Sequence, residues 1–430
     1  MNPRSVQNAV ASVVVIGTAG ALAVAALAKS GADDVVLACA TASVVSLVAI
    51  VLACIVYADR TGVVSRYIRS FTESGTEDQF VRNYRAGNTV KAVFIAALAA
   101  VAVVLAGYSL TAGISGLSVS EAFGLVIGHV RGVVYETGSD DWFHDILIWN
   151  SQLPKTLVAM VAGAGLAVGG AVMQSVLKNP LADPYTTGIS SGAVLGANIA
   201  IVLGLAVVGI GQYGLVLNAF LFSLIPAGVM IFVSRISSGS PATIILVGTA
   251  VSYIFSAFST LIMMVADDDA MQEAYEWQVG SLSGASWSYL PMMFTVTLAG
   301  CVALYAMSGR LNLLMMGDND AKALGLNVDI FRMICLIIVS FVTASIVSFV
   351  GMIGFLGLIA PHMVRLILGS DTRLVIPASA MLGVVLILLA DVLSRILATS
   401  TMPVGVVLSF IGAPLFLLLV MRTRREAWQR

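Results

Sequence analysis

The residues that could do chemistry are few and widely spaced. Asp391 lies deep in an apolar run, where an ionisable side chain marks either a functional site or a paired charge. Arg395 follows four positions later, one helical turn away, so a local ion pair is the simplest account of both. His129, His144 and His362 stand singly, and Cys39, Cys54, Cys301 and Cys335 are scattered through apolar runs without paired spacing. They give neither a metal centre nor a disulfide frame, so no resident metal or cofactor is expected. No lysine follows a glycine, which excludes the G-x-x-x-x-G-K-[ST] phosphate loop, and there is no H-E-x-x-H pair. The chain cannot hydrolyse ATP alone, and an enzyme is not expected.

The most informative stretch is Trp149 to Ala197, where a Gly/Ala-rich helix from Pro154 to Leu177 breaks and then restarts. Gly163, Ala167, Gly170, Ala171 and Gln174 share one stripe, and small residues at that spacing let helix backbones approach closely. Asn179, Pro180 and Pro184 end the helix, because proline removes a backbone donor and clashes with the preceding turn. Two readings remain open at this point: a helix-packing face followed by a loop, or a broken span whose irregular backbone lines a water-filled cavity.

These residues must be positioned by membrane-spanning helices. Of 430 residues, 59% are hydrophobic and only 10% charged, far from the near-quarter of a soluble domain. The net charge of -1 argues against nucleic acid as a partner. Apolar runs of roughly 20 residues predict twelve spans. Val10–Ala28 and Val35–Tyr57 form an N-terminal hairpin (1–58), the first run having a cleaved signal peptide as its alternative. A basic linker (59–91) follows, with Arg60, Arg66, Arg69, Arg82, Arg85 and Lys91, and then a third part, 92–430. Ten spans are predicted there: Ala92–Leu110, the central broken span from Pro154, Thr186–Leu205, Gly211–Ser234, Ile244–Val265, Tyr289–Met307, Ile330–Val350, Gly351–Leu368, Val375–Ala398 and Val404–Met421. Basic loops alternate with acidic ones, so by the positive-inside rule both termini are cytoplasmic. The acidic outer segment opens with Ser118-Val119-Ser120-Glu121, capping-box spacing for a short surface helix. A polar insert, Met316 to Arg332, holds a short Asp-Ala-Lys-Ala-Leu-Gly helix closed by Gly325 on the cytoplasmic side.

Three regions together resemble the FecCD family, the permease subunits of ATP-driven importers for iron-siderophores, haem and vitamin B12. They are the Gly/Ala helix ending in Gln174 with Asn179-Pro180-Leu181-Ala182, the insert at Asp320, and a closing run. That run includes Gly354, Phe355, Gly357, Pro361-His362, Arg365, Gly369, Asp391, Arg395, Pro403, Gly405 and Gly412-Ala413-Pro414. The likeness covers about Lys91 to Arg422, and the N-terminal hairpin lies outside it. It implies an all-α, ten-helix permease core. It implies a pathway along Gly163, Ala167, Gly170, Gln174, Asn179, Pro180 and Leu181, and coupling to a cytoplasmic ATPase dimer through Asp320, Ala321, Leu324 and Gly325. An extracellular binding protein would dock at Lys155 and Arg395, and a second permease subunit would complete the pathway for a metal chelate in the cell membrane. The family's Arg-Leu-Pro-Arg start reads Gln152-Leu153-Pro154-Lys155 here, losing one charge and the planar fork of the other. The alternative from another class is a cation-coupled secondary transporter, for which Asp391 would be the intramembrane carboxylate. A membrane scaffold or sensor using the hairpin is a third.

Overall fold

A computed structural model describes residues 77–114, 117–206, 211–236, 241–396 and 402–427. The predicted N-terminal hairpin, the linker as far as Thr76 and residues 428–430 lie outside the described residues. Contacts divide the chain into two units, Met1–Phe94 with Gly113–Ser118, and Ile95–Ala112 with Val119–Arg430. In the first, the described part is mainly helix running on from Glu77.

No strand occurs among the described residues. In chain order the helices are α1 (Glu77–Thr111), α2 (Val119–Val130), α3 (Asp140–Leu147), α4 (Leu153–Val176), α5 (Ile189–Leu203), α6 (Gly211–Ile236), α7 (Pro241–Met263) and α8 (Asp268–Val279). Then come α9 (Leu290–Ala306), α10 (Ser308–Met316), α11 (Asp318–Ala323), α12 (Val328–Val350), α13 (Leu356–Leu368), α14 (Thr372–Ile396) and α15 (Val404–Ala427). A π-helical turn, Ile148–Gln152, leads into α4, and a 3-10 turn, Pro184–Thr187, precedes α5. Side chains cap the exposed starts: Ser139 accepts from the Trp142 amide, Asp267 from Ala270 and Asn327 from Ile330. The predicted surface helix after Ser118 is α2.

Among the described residues, six stretches are long and apolar enough to cross a membrane: Lys91–Thr111, Asp140–Val176, Tyr213–Val233, Pro241–Met263, Val328–Val350 and Thr372–Ile396. The pair α9 and α10, bent by 53°, makes a seventh if it is one span. Two predicted spans are shorter than their apolar runs. The 15 residues of α5 and 13 of α13 reach only about 22 and 20 Å at 1.5 Å per residue, against roughly 30 Å of hydrocarbon. Pro184 and the left-handed Gly188 (φ +84°) delay α5, while Gly351 (φ +69°) and Phe355 (φ +65°) delay α13. By contrast, α15 runs through the whole predicted span Val404–Met421. Hydropathy counts apolar residues and is blind to such breaks.

The core is built around α4, which packs against α14, α13, α9 and α12, while α5, α6 and α7 form a second packed group that shares α12. In the most apolar part of Asp140–Val176, 78% of residues are buried, and in that of α14 83%, against 22% in α7. The broken helix and its partner α14 are therefore central, and α7 is peripheral.

Candidate functional site

Charge gathers at the two ends of α4. At the Leu153 end Asp391 of α14 is fully enclosed. It pairs with Arg395 as its i,i+4 spacing predicts: Arg395 Nε donates to Oδ1 at 3.2 Å and Nη2 to Oδ2. Lys155 Nζ lies 3.6 Å from Oδ1, and Ser109 Oγ of α1 donates to Oδ2 at 3.1 Å. Arg395 Nη1 also donates to the Ser109 carbonyl at 2.8 Å and to Gln152 Oε1, and Thr156 bonds both Ser109 Oγ (2.9 Å) and the Gln152 carbonyl (2.9 Å). One buried carboxylate thus faces two cations and joins three helices. Gln152 belongs there, since an arginine in its place would bring a third cation against Arg395. Both oxygens of Asp391 are engaged by Arg395, with Ser109 also donating to one, which weighs against a cation relay. The exposures of the Lys155 and Arg395 side chains are 12% and 5%. Both side chains are largely buried within this chain.

Along its length α4 presents the predicted stripe of small residues to its own chain. A methyl group built on Gly170 would lie 1.7 Å from the Gly357 carbonyl oxygen, and one on Gly163 would lie 2.7 Å from that of Gly383. Ala167 fills the same contact with Gly383, and Gln174 Nε2 donates to the Leu358 carbonyl at 3.1 Å. The four residues are buried within this chain by α13 and α14, the close contact that a packing face would make. Asn179, Pro180 and Leu181 are different: they stand at the break, and Leu181 is 45% exposed. The irregular backbone there is satisfied locally, by Asn179 Oδ1 accepting from the Leu181 amide (2.9 Å) and Asp183 Oδ1 from Thr186 (2.9 Å).

At the Val176 end the insert meets the broken helix. Asp318 pairs with Lys178 and Arg332, and Arg365 of α13 donates to the Ala171 carbonyl (3.0 Å) and Ser175 Oγ (2.8 Å). Partial burial pushes the Asp318 carboxyl up, but hydrogen bonds from Lys178 and Arg332 outweigh it and hold the group below its ordinary value. Of the predicted coupling residues, Ala321 is wholly buried within this chain, whereas Asp320, Leu324 (60% exposed) and Gly325 (φ +86°) face out. Exposed Met316 and Ile330 flank them.

Gly188-Ile189-Ser190-Ser191-Gly192 has G-x-S-x-G spacing, but Ser190 is buried in the first turn of α5 and follows a left-handed glycine rather than a strand. It is not a nucleophile elbow. Among the described residues no group of three His, Cys, Asp or Glu could hold a metal.

A model of the FecCD transport family matches residues 101–422. The chain belongs to that family. A Methanocaldococcus jannaschii protein assigned as an ABC transporter permease is 37% identical over 73% of this chain and 90% of its own length. The hemin transport system permease of Yersinia pestis is 36% identical over 65% of this chain and 84% of its own, and the cobalamin import permease of Halobacterium salinarum 37% over 64% and 73%. A solved transporter assigned to the metal-chelate ABC type, in an inward-facing conformation, superposes with a TM-score of 0.66 at 29% identity, covering 76% of this chain and 98% of that one. This FecCD protein is a multi-pass ABC-transporter permease, a membrane transport subunit and not an enzyme.

Both charged ends of α4 fall inside the matched region of the permease. Sequence reasoning found Asp391, Arg395 and Lys155 but missed Ser109, Gln152 and Thr156 as partners, and missed Asp318, Lys178 and Arg332 altogether. It also missed His129 of α2, which pairs with Asp145 at 2.9 Å and stacks on Trp149 at 4.0 Å, itself 5.1 Å from Trp287. Asp318 sits two residues before the flagged Asp320, and its acidity at the start of α11 was the available signal.

Proposed function

We propose that this permease, paired with a second identical or different permease subunit, forms the pathway by which an iron-siderophore or related metal chelate enters the cell. A cytoplasmic ATPase dimer drives it and an extracellular binding protein supplies it. The observation that carries this reading is the insert: a short helix, rigidly placed by buried Ala321, that presents exposed Leu324, Met316 and Ile330 beside Asp320 and Gly325. An apolar tip between polar residues on a transport subunit is the surface an ATPase would grip. The basic linker and Arg422, Arg424, Arg425 and Arg430 support cytoplasmic termini in the cell membrane, which puts the insert on the ATPase side.

A chelate carries its own metal ligands and needs a smooth route more than a coordinating site, since conduction requires binding weak enough to release. Asn179, Pro180 and Leu181 at the break are the residues of the predicted pathway with a surface to offer. Burial of Lys155 and Arg395 around Asp391 favours a supporting role behind the binding-protein contact. Direct docking survives only if Lys155→Glu weakens binding-protein affinity without lowering the melting temperature.

Competition uptake separates the cargo classes. In proteoliposomes holding the permease, its ATPase and its binding protein, excess unlabelled ferric siderophore is expected to block labelled siderophore uptake more strongly than haem or cobalamin does. Stronger competition by haem or cobalamin would replace the substrate named here, and ATP-independent uptake would remove the class.

A further inference from the structure

One carboxylate fastens the insert to the central helix. Asp318 Oδ1 lies 2.6 Å from Lys178 Nζ, and both of its oxygens lie 3.1 Å from Arg332 Nη2. The same guanidinium donates from Nε to the Val176 carbonyl at 3.3 Å, at the last turn of α4, where unpaired carbonyls and the helix dipole favour a cation. Arg332 itself is 1% exposed and belongs to α12. Three elements therefore meet at one ionic junction: α11, the broken end of α4, and α12.

Lys178 carries the second observation. It follows the last residues of α4 with φ +50°, a left-handed conformation that glycine or asparagine adopts with less strain. The Asn179 amide bonds the Gln174 carbonyl at 3.2 Å, closing the helix as a Schellman-type turn. A lysine held in a position suited to glycine, with its ammonium on Asp318, points to selection of the contact over backbone comfort.

We propose that Asp318 is a positioning residue for coupling: its carboxylate carries displacement of the insert to the Val176 end of α4 and to α12, so that without it ATP is hydrolysed with little translocation. This rests on the reading of α11 as the ATPase contact.

The test uses the complete transporter in proteoliposomes, with ATPase co-purification, ATP hydrolysis and ferric-siderophore uptake measured on the same preparation. In Asp318→Asn, co-purification and hydrolysis should persist while uptake per ATP hydrolysed falls well below the wild-type ratio. Asp318→Glu should restore most of the ratio. Lys178→Gly relieves the backbone and removes one partner of the carboxylate. It should fold at least as well as the wild type and show an intermediate ratio, which keeps the proposal testable if Asp318→Asn assembles poorly. An unchanged ratio in Lys178→Gly together with an unchanged ratio or parallel loss of hydrolysis and uptake in Asp318→Asn overturns it. If the wild-type permease does not bind the ATPase at all, the functional reading fails and takes this one with it. Normal binding with normal coupling in the variants sinks this one alone.

Discussion

The two ends of α4 are both tied by one carboxylate to two cations, yet they are built for different duties. At the Leu153 end the side chain of Asp391 is 0% exposed and hydrogen-bonded by α1 and α14, whereas at the Val176 end that of Asp318 is 37% exposed and its lysine partner 30%, with only its arginine partner buried. Breaking a buried pair by removing one partner costs about 3–5 kcal/mol, because the remaining charge is left unpaired in low dielectric. An exposed pair contributes about 0–1 kcal/mol. The same chemistry therefore makes a fully enclosed junction at one end and a partly hydrated one at the other.

The contrast breaks most visibly at Asp391. Asp391→Asn should cost about 3–5 kcal/mol by stranding Arg395 and Lys155, and thermal unfolding in detergent should show it as a large drop in melting temperature. A shift no larger than that of Asp318→Asn would abolish the distinction between the two ends. Next in size, Gly170→Ala drives a methyl into the Gly357 carbonyl and should cost about 1–3 kcal/mol by overpacking, read on the same melt. A neutral result would mean that α13 can move away from α4.

Smaller effects sharpen the comparison at the Val176 end. Leu324→Glu should leave the melting temperature unchanged, since Leu324 is 60% exposed, while reducing ATPase co-purification. Ala321 would be a poor probe, because its burial makes any enlargement unpack the insert itself. The smallest effect is that of pH. Asp318 titrates below the ordinary carboxylate value of about 4, so its contribution is present above that value and fades only as pH falls through the depressed one. Coupling should be flat from roughly pH 5 to 8, with any acid loss worth under about 1 kcal/mol given its exposure. A change in the uptake-to-hydrolysis ratio near neutral pH would assign the junction to some other group.

Sequence was a good guide where a rule acts over one or two helical turns. The Asp391–Arg395 pair, the helix after Ser118, the insert helix and the break at Pro180 all follow from local spacing. It failed where partners are far apart in the chain: Ser109 and Asp391 are 282 positions apart, and nothing in either neighbourhood announces the other. The Gly/Ala stripe fits both a packing seam and a pathway, because each needs small residues at helical spacing, and nothing in the stripe announces that Gly357 and Gly383 lie against it. The shortened α5 and α13 escaped because left-handed backbone, as at Phe355, leaves no mark on hydropathy.

The most direct test of the central claim is uptake of labelled ferric siderophore into proteoliposomes that contain permease, ATPase and binding protein, with ion gradients collapsed by ionophores. Accumulation that requires ATP and survives the ionophores is expected, because the carboxylate of Asp391 is already committed to Arg395 and Lys155. Accumulation that an imposed proton or sodium gradient drives without ATP would contradict it.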